Sequence, residues 1–236
     1  MEDMRLAYEK QLGVFVRVPE PGAVKTRLTP PLSPEDACRL YQAFVRDLFA
    51  RIGRIKKVRG TVFYTGGDDG DIKDIIPRSY GICAQQGVSL GERLTAAFDR
   101  LLGAEGRTAV IIGSDSPDIP VQYIKRAFLK LKHKDVVLGP AADGGFYLVG
   151  LRSPASAIFD DIDWGTQLVL GQTLQRIKSQ RLTLSVLPLW YDVDTPASLQ
   201  LLRDMMDARR IERSGRLMAT EEALAAILRK KTDSGA

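Results

Sequence analysis

A chain of 236 residues, 44% hydrophobic and 27% charged, is suited to one globular α/β domain and long enough to bury its own core. Its formal charge of +5 lies in runs such as KRAFLKLKHK (Lys125 to Lys134) and a late RKK. These read as solvated helix faces rather than as a nucleic-acid-binding surface. Two distant cysteines, Cys38 and Cys83, make neither a zinc pattern nor a disulfide framework, and the lone His133 sits in a basic helix. MEDMRLAYEK lacks an apolar signal core and aliphatic runs such as AVII (Ala109 to Ile112) are far too short to span a bilayer, so no secretion signal or membrane span is expected. A reducing, cytoplasmic setting is the expectation.

In chain order, LGVFVRV (Leu12 to Val18) reads as a first strand. The proline-rich loop VPEPGAVKTRLTPPL follows, and then a helix capped by Ser33, with Pro34 first and Glu35 and Asp36 at its positive end. GTVFYTG is the next strand, DDGDIKDIIP a loop with at most a short helix, and YGICAQ a further strand. SLGERLTAAFDRLLG predicts a helix with a capping box from Ser89 to Glu92 and a stop at Gly103. TAVIIG (Thr108 to Gly113) is continuously apolar, as expected for the covered centre of a parallel sheet. A helix over 121–132 leads to DVVLG and GGFYLVGL, whose short connection PAAD is too brief for a parallel crossover, so one antiparallel strand enters the sheet. A helix over 166–178, the strand LTLSVLP and two terminal helices complete one α/β domain over 1–236, a mixed, mostly parallel sheet with helices on both faces.

Ligands of such sheets sit beyond the carboxyl ends of the strands, where the loop at 19–31 lies. It is not a P-loop, because Val24 stands where a glycine must precede the lysine. It offers Lys25 as a point charge, Thr26, Arg27 as a planar fork, and backbone amides around Gly22: a phosphate grip, or else an exposed basic turn. GSDSPDIP places Ser114 and Asp115 at the end of the central strand, where a carboxylate can hold a hard cation. In WYDVDTPASL, Asp192 and Asp194 share one face of an extended segment before a helix begun by Thr195 and Pro196. If that face meets Asp115, carboxylates from distant parts of the chain converge on one metal. Asp143, Gly144 and Gly145 mark a turn where backbone can approach an acceptor or sugar, or a plain hairpin. Gly91, at the start of its capped helix, is a further candidate near a nucleotide.

Taken together and in order, PEPGAVKTRL, QQGVSLGERL, GSDSPDIP, ADGGFYLVGL and DVDTP resemble a bacterial family of nucleotide-diphospho-sugar transferase-like proteins, often labelled glycosyltransferase. That family is related to the phospholactate and molybdenum-cofactor guanylyltransferases. The resemblance covers roughly residues 12–203 and implies a GT-A type fold, with a nucleotide over the first half of the sheet. It also implies Mg²⁺ or Mn²⁺ held by Asp115 and the DVD segment, with Asp192 ahead of Asp194. The chain departs from the pattern at Ala197 and Ser198, where relatives carry acidic residues; this predicts a weakened helix start.

Two reactions share these residues. In glycosyl transfer from a nucleotide-sugar, an acceptor hydroxyl attacks the sugar carbon, with Asp143 as base or sugar ligand. In nucleotidyl transfer, an acceptor phosphate attacks a triphosphate whose charge Lys25 and Arg27 neutralise, and pyrophosphate leaves. A catalytically silent nucleotide-binding module is the non-enzymatic alternative. Base, acceptor and oligomeric state are not legible in the sequence.

Overall fold

A run as apolar as TAVIIG is satisfied only if both of its faces are covered, and the fold is arranged around that demand. The computed structural model describes residues 10–104 and 107–233, with side chains described through residue 230. Seven strands form one sheet: β1 (Lys10–Arg17), β2 (Arg59–Thr65), β3 (Gly81–Ala84), β4 (Thr108–Gly113), β5 (Val136–Pro140), β6 (Phe146–Leu151) and β7 (Leu184–Val186), in the order β3-β2-β1-β4-β6-β5-β7. β1 pairs in parallel with β2 and β4, β2 with β3, and β5 with β7. β6 alone runs antiparallel, against both β4 and β5, as the short 141–145 connection requires.

Side chains alternate across the sheet. Val110 and Ile112 point into one core; Ala109 and Ile111 point into another on the opposite face. The first core is covered by α1 (Pro34–Ile52), α4 (Val121–Lys130), α6 (Pro196–Ile211) and α7 (Met218–Asp233). The second is covered by α3 (Leu90–Leu102) and α5 (Val169–Ser179), while the short α2 (Asp69–Lys73) lies between β2 and β3 in the chain.

The helix starts follow their capping chemistry. The Ser33 hydroxyl accepts from the Asp36 amide at 3.1 Å and the Ser89 hydroxyl from the Glu92 amide at 3.1 Å. The Glu92 carboxylate closes back on the Val88 amide, at 2.9 Å, one residue earlier than a standard capping box. Two helix starts differ from expectation. α5 begins at Val169 rather than 166, because the Thr166 hydroxyl bonds back to the Asp163 carbonyl and accepts from the Leu168 amide, holding a turn in place. The start of α6 is not weakened: the Ser198 hydroxyl accepts from the amides of Asp194 and Thr195, both at 3.0 Å, doing the work an acidic side chain would do there.

Candidate active site

Because β1, β4, β5 and β7 run the same way, the segments that follow them emerge at one edge of the sheet, where β6 begins. That edge gathers the 18–33 loop, the 114–120 turn, the 141–145 turn and the 187–195 segment. The last is laid onto the second by the Val193 amide donating to the Asp115 carbonyl at 2.9 Å, and by the Ser116 hydroxyl reaching the Tyr191 carbonyl and the Asp192 carboxylate at 2.9 and 2.6 Å. Asp115 and Asp192 also border a common cavity of about 220 Å³. The convergence expected of GSDSPDIP and DVD is therefore present in the geometry.

What sits between the carboxylates was not expected. Within its own loop the sequence carboxylate nearest Lys25 is Glu20, on the far side of Gly22. Instead the side chain is 3% exposed, and its ammonium lies 2.5 Å from Asp115 Oδ1 and 2.8 Å from Asp194 Oδ1. The rings of Tyr41 and Phe44 stand 5.7 Å away. Lys25 holds φ 49°, a left-handed backbone costing a non-glycine residue on the order of 1 kcal/mol, at the root of a 3-10 turn, Thr26–Leu28. Burial alone would push the ammonium toward neutrality, but Asp115 and Asp194 outweigh it and hold its pKa above the ordinary lysine value.

Two carboxylates therefore touch one ammonium while a third, Asp192, lies within electrostatic range, and the charge does not balance. The excess shows at Asp192, whose pKa is pushed up to about 7 by burial and by the neighbouring charge of Asp115, against an ordinary 3.8. A carboxyl group with a raised folded pKa favours the folded state at low pH; that contribution is present below about 3.8 and is lost as pH rises toward 7. Asp192→Asn should therefore stabilise the metal-free protein at pH 8, on the order of 2 kcal/mol, with the gain vanishing near pH 4. Urea unfolding at both pH values, with a chelator present, checks it; an equal effect at both would show that the Asp192 charge is not strained. The oxygen donors fit a hard divalent cation, although no group of three or more His, Cys, Asp or Glu among the described residues is already gathered to hold one.

Two cavities meet here. The first, about 360 Å³, is bordered by Lys25, Thr26, Arg27, Gln85, Ser114 and Asp115. The second, about 560 Å³, is bordered by Arg27, Asp143, Gly145, Phe146, Trp164 and Asp192. Arg27, Leu90 and Asp194 border both. Arg27 is exposed, with no hydrogen-bond or ion-pair partner among the described residues. Ser114 is buried, its hydroxyl 2.7 Å from the Tyr41 hydroxyl, which also accepts from the Arg17 amide.

Three glycines have places of their own. Gly22 takes φ +79° and a Cβ there would meet nothing, so it shapes the loop and lies outside the first cavity's lining. A Cβ on Gly91 would come within 2.7 Å of the Phe159 carbonyl and 2.9 Å of Trp164 Nε1, so this glycine lets α3 pack against the 156–164 segment. A Cβ on Gly144, which holds φ +94°, would come within 2.6 Å of the Gln167 carbonyl oxygen: the close approach read from Gly144-Gly145 is made by the chain itself, with Asp143 Oδ1 accepting from the Gly145 amide at 3.0 Å.

Asp118, Tyr41, Gln85 and Trp164 were not singled out in the sequence. Asp118 is fully buried, accepting from Arg209 and the Tyr191 hydroxyl at 2.7 Å each and from Trp190 Nε1 at 3.3 Å. The usable signal was tryptophan itself: only two occur, and Trp164 opens the turn before α5 while Trp190 opens the DVD segment.

Comparison with known proteins places the fold among solved relatives. A Desulfovibrio desulfuricans G20 structure named as a "putative nucleotide-diphospho-sugar transferase" is 34% identical, covers 94% of this chain and 98% of its own, and superposes with a TM-score of 0.84. At identities that speak for the fold alone, the chain is similar to a CMP:2-keto-3-deoxy-manno-octonic acid synthetase complexed with CTP (12% identical, 85% and 99% of the chains, TM-score 0.54). It is likewise similar to Rv0371c of Mycobacterium tuberculosis H37Rv in complex with manganese (15%, 83% and 97%, TM-score 0.50). No curated protein matches. The expected nucleotide-diphospho-sugar transferase-like fold is thus the one found. A family model matches residues 48–166, and with a solved relative 34% identical over nearly the whole chain, this protein belongs to DUF2064, described as an uncharacterized protein conserved in bacteria.

Proposed function

We propose that this protein is a nucleotide-dependent transferase that moves a glycosyl group from a nucleotide-sugar to a small-molecule acceptor. The observation that carries the reading is the pair of cavities joined at the unpaired Arg27. The first, with the 23–27 loop on one wall, suits a nucleotide diphosphate. The second has an aromatic wall, with Phe146 and Trp164 edge-to-face at 6.1 Å, and the carboxylate of Asp143. An apolar ring face and a hydrogen-bond acceptor together suit a sugar. The name of the Desulfovibrio relative supports a nucleotide-sugar, and the CTP complex supports a nucleotide on this fold.

In this reading the acceptor hydroxyl attacks the sugar carbon, the bond to the diphosphate breaks, and Asp143 takes the hydroxyl proton. Arg27 forks onto the leaving diphosphate, whose developing charge is greater in the transition state than in the ground state. Asp115 and Asp192, with Asp194 beside them, would hold Mg²⁺ or Mn²⁺, which when bound supplies further charge neutralisation for the diphosphate. The manganese complex of a fold relative supports that choice of ion. Ser198 accepts from the backbone at the start of α6 and so keeps the DVD segment ordered without the acidic residues that relatives carry there.

A thermal-shift screen of nucleotides and nucleotide-sugars, with and without Mn²⁺, tests this. Nucleotide-sugars of one base class should raise Tm more than the matching triphosphate, and more with Mn²⁺ present; adding acceptor should then release nucleoside diphosphate. Pyrophosphate release from a triphosphate would instead establish nucleotidyl transfer, and no shift with any nucleotide would end the reading.

A further inference from the structure

We propose that Lys25 is a built-in counter-ion that closes the carboxylate cluster to free divalent cations, so that the ion enters only with a phosphate group that draws the ammonium away. The exclusion of free ion stands on the geometry of Lys25; the phosphate half rests on the nucleotide reading above.

The ammonium already occupies the gap. It touches Asp115 and Asp194 at 2.5 and 2.8 Å, and a divalent ion held by Asp115 would need that same carboxylate at ~2.0–2.6 Å. Both cations cannot share that gap. An ion arriving alone must expel an ammonium that is 3% exposed, boxed by Tyr41 and Phe44 and without another acid among its contacts. Left beside a dication, the displaced charge would be both repelled and poorly solvated.

A phosphate changes the balance. Lys25 also borders the first cavity, so an anion there offers its ammonium a replacement partner. The lysine stem has four rotatable carbons and carries a compact charge, so Nζ can swing from carboxylate to phosphate while the 3-10 turn stays fixed. That swing frees Asp115, one of the two carboxylates that would hold the ion, together with Asp194 beside it. Cation and anion then bind with positive coupling, each favouring the other's site by the same factor.

The test is Mn²⁺ binding to the full chain, followed by Mn²⁺ electron paramagnetic resonance at buffered free metal, with and without inorganic pyrophosphate as the phosphate probe. Wild-type protein alone should bind Mn²⁺ at least tenfold more weakly than Lys25→Met, which keeps the side-chain bulk and removes the charge. Lys25→Arg, which keeps the charge, should stay weak. Pyrophosphate should tighten Mn²⁺ binding to the wild type at least tenfold and leave Lys25→Met almost unaffected. Micromolar Mn²⁺ binding by the unliganded wild type would overturn the proposal without reference to any variant, as would a Lys25→Met protein no tighter than wild type. Tight binding by Lys25→Met with no pyrophosphate effect on the wild type would support the exclusion of free ion and overturn the phosphate half, and with it the assignment of the first cavity to a nucleotide.

Discussion

Asp118→Ala should be the most destabilising single change near the site, costing ~3–5 kcal/mol because it breaks a buried ion pair from one side. Asp118 is wholly buried and receives three donors, from Arg209, Tyr191 and Trp190. Arg209 is 13% exposed, and its Nη1 already lacks a partner, so alanine would strand a guanidinium under α6 with little left to satisfy it. For a chain of this size such a loss lowers Tm by roughly 10 °C. Urea and thermal unfolding measure it, and Asp118→Asn, which retains an acceptor for Tyr191 or Trp190, should fall in between. The loss has a local meaning as well. Tyr191 immediately precedes Asp192, so Asp118 anchors the segment that brings the carboxylates together. A cost below ~1 kcal/mol would place this network with surface ion pairs and remove it as the brace of the site.

Arg27→Ala should show the opposite signature. Its side chain is exposed and has no partner among the described residues, so Tm should stay within the scatter of a surface substitution, ~0.5 kcal/mol. Nucleotide-sugar binding should weaken by ~1.5–3 kcal/mol, or roughly ten- to a hundredfold, the usual value of a charge-assisted contact. Arg27→Lys should recover only part of this, since an ammonium cannot offer two parallel donors to one phosphate. Calorimetric titration with the ligand found by the nucleotide screen provides the number. Lost stability with intact binding would make Arg27 a structural brace and leave the cavity junction without its anion partner.

Local chemistry carried much of this protein in its sequence. Ser33-Pro34 and Ser89 start helices because a hydroxyl can satisfy amides a few residues on, and such contacts need no tertiary partner. TAVIIG declared a strand covered on both faces, and the brevity of PAAD required that β6 turn antiparallel, because chain geometry over a few residues allows little else. The emergence of the 19–31 loop and Asp115 at one sheet edge followed from strand direction alone, whereas the meeting of the DVD segment with them came from the fold.

What the sequence could not determine was who pairs with whom across the fold. Lys25 and Asp194 are 169 positions apart, and only the folded sheet puts an ammonium between the carboxylates of Asp115 and Asp194. Asp118 looked like one more acid in a turn until α6 brought Arg209 over it. Gly91 and Gly144 looked like openings for a ligand, yet the chain's own Phe159, Trp164 and Gln167 fill the space in front of them. Charges and voids act over a few ångströms of space whatever the separation in the chain, so their balance belongs to the tertiary structure, whereas capping, strand periodicity and loop reach are settled within a few residues of sequence.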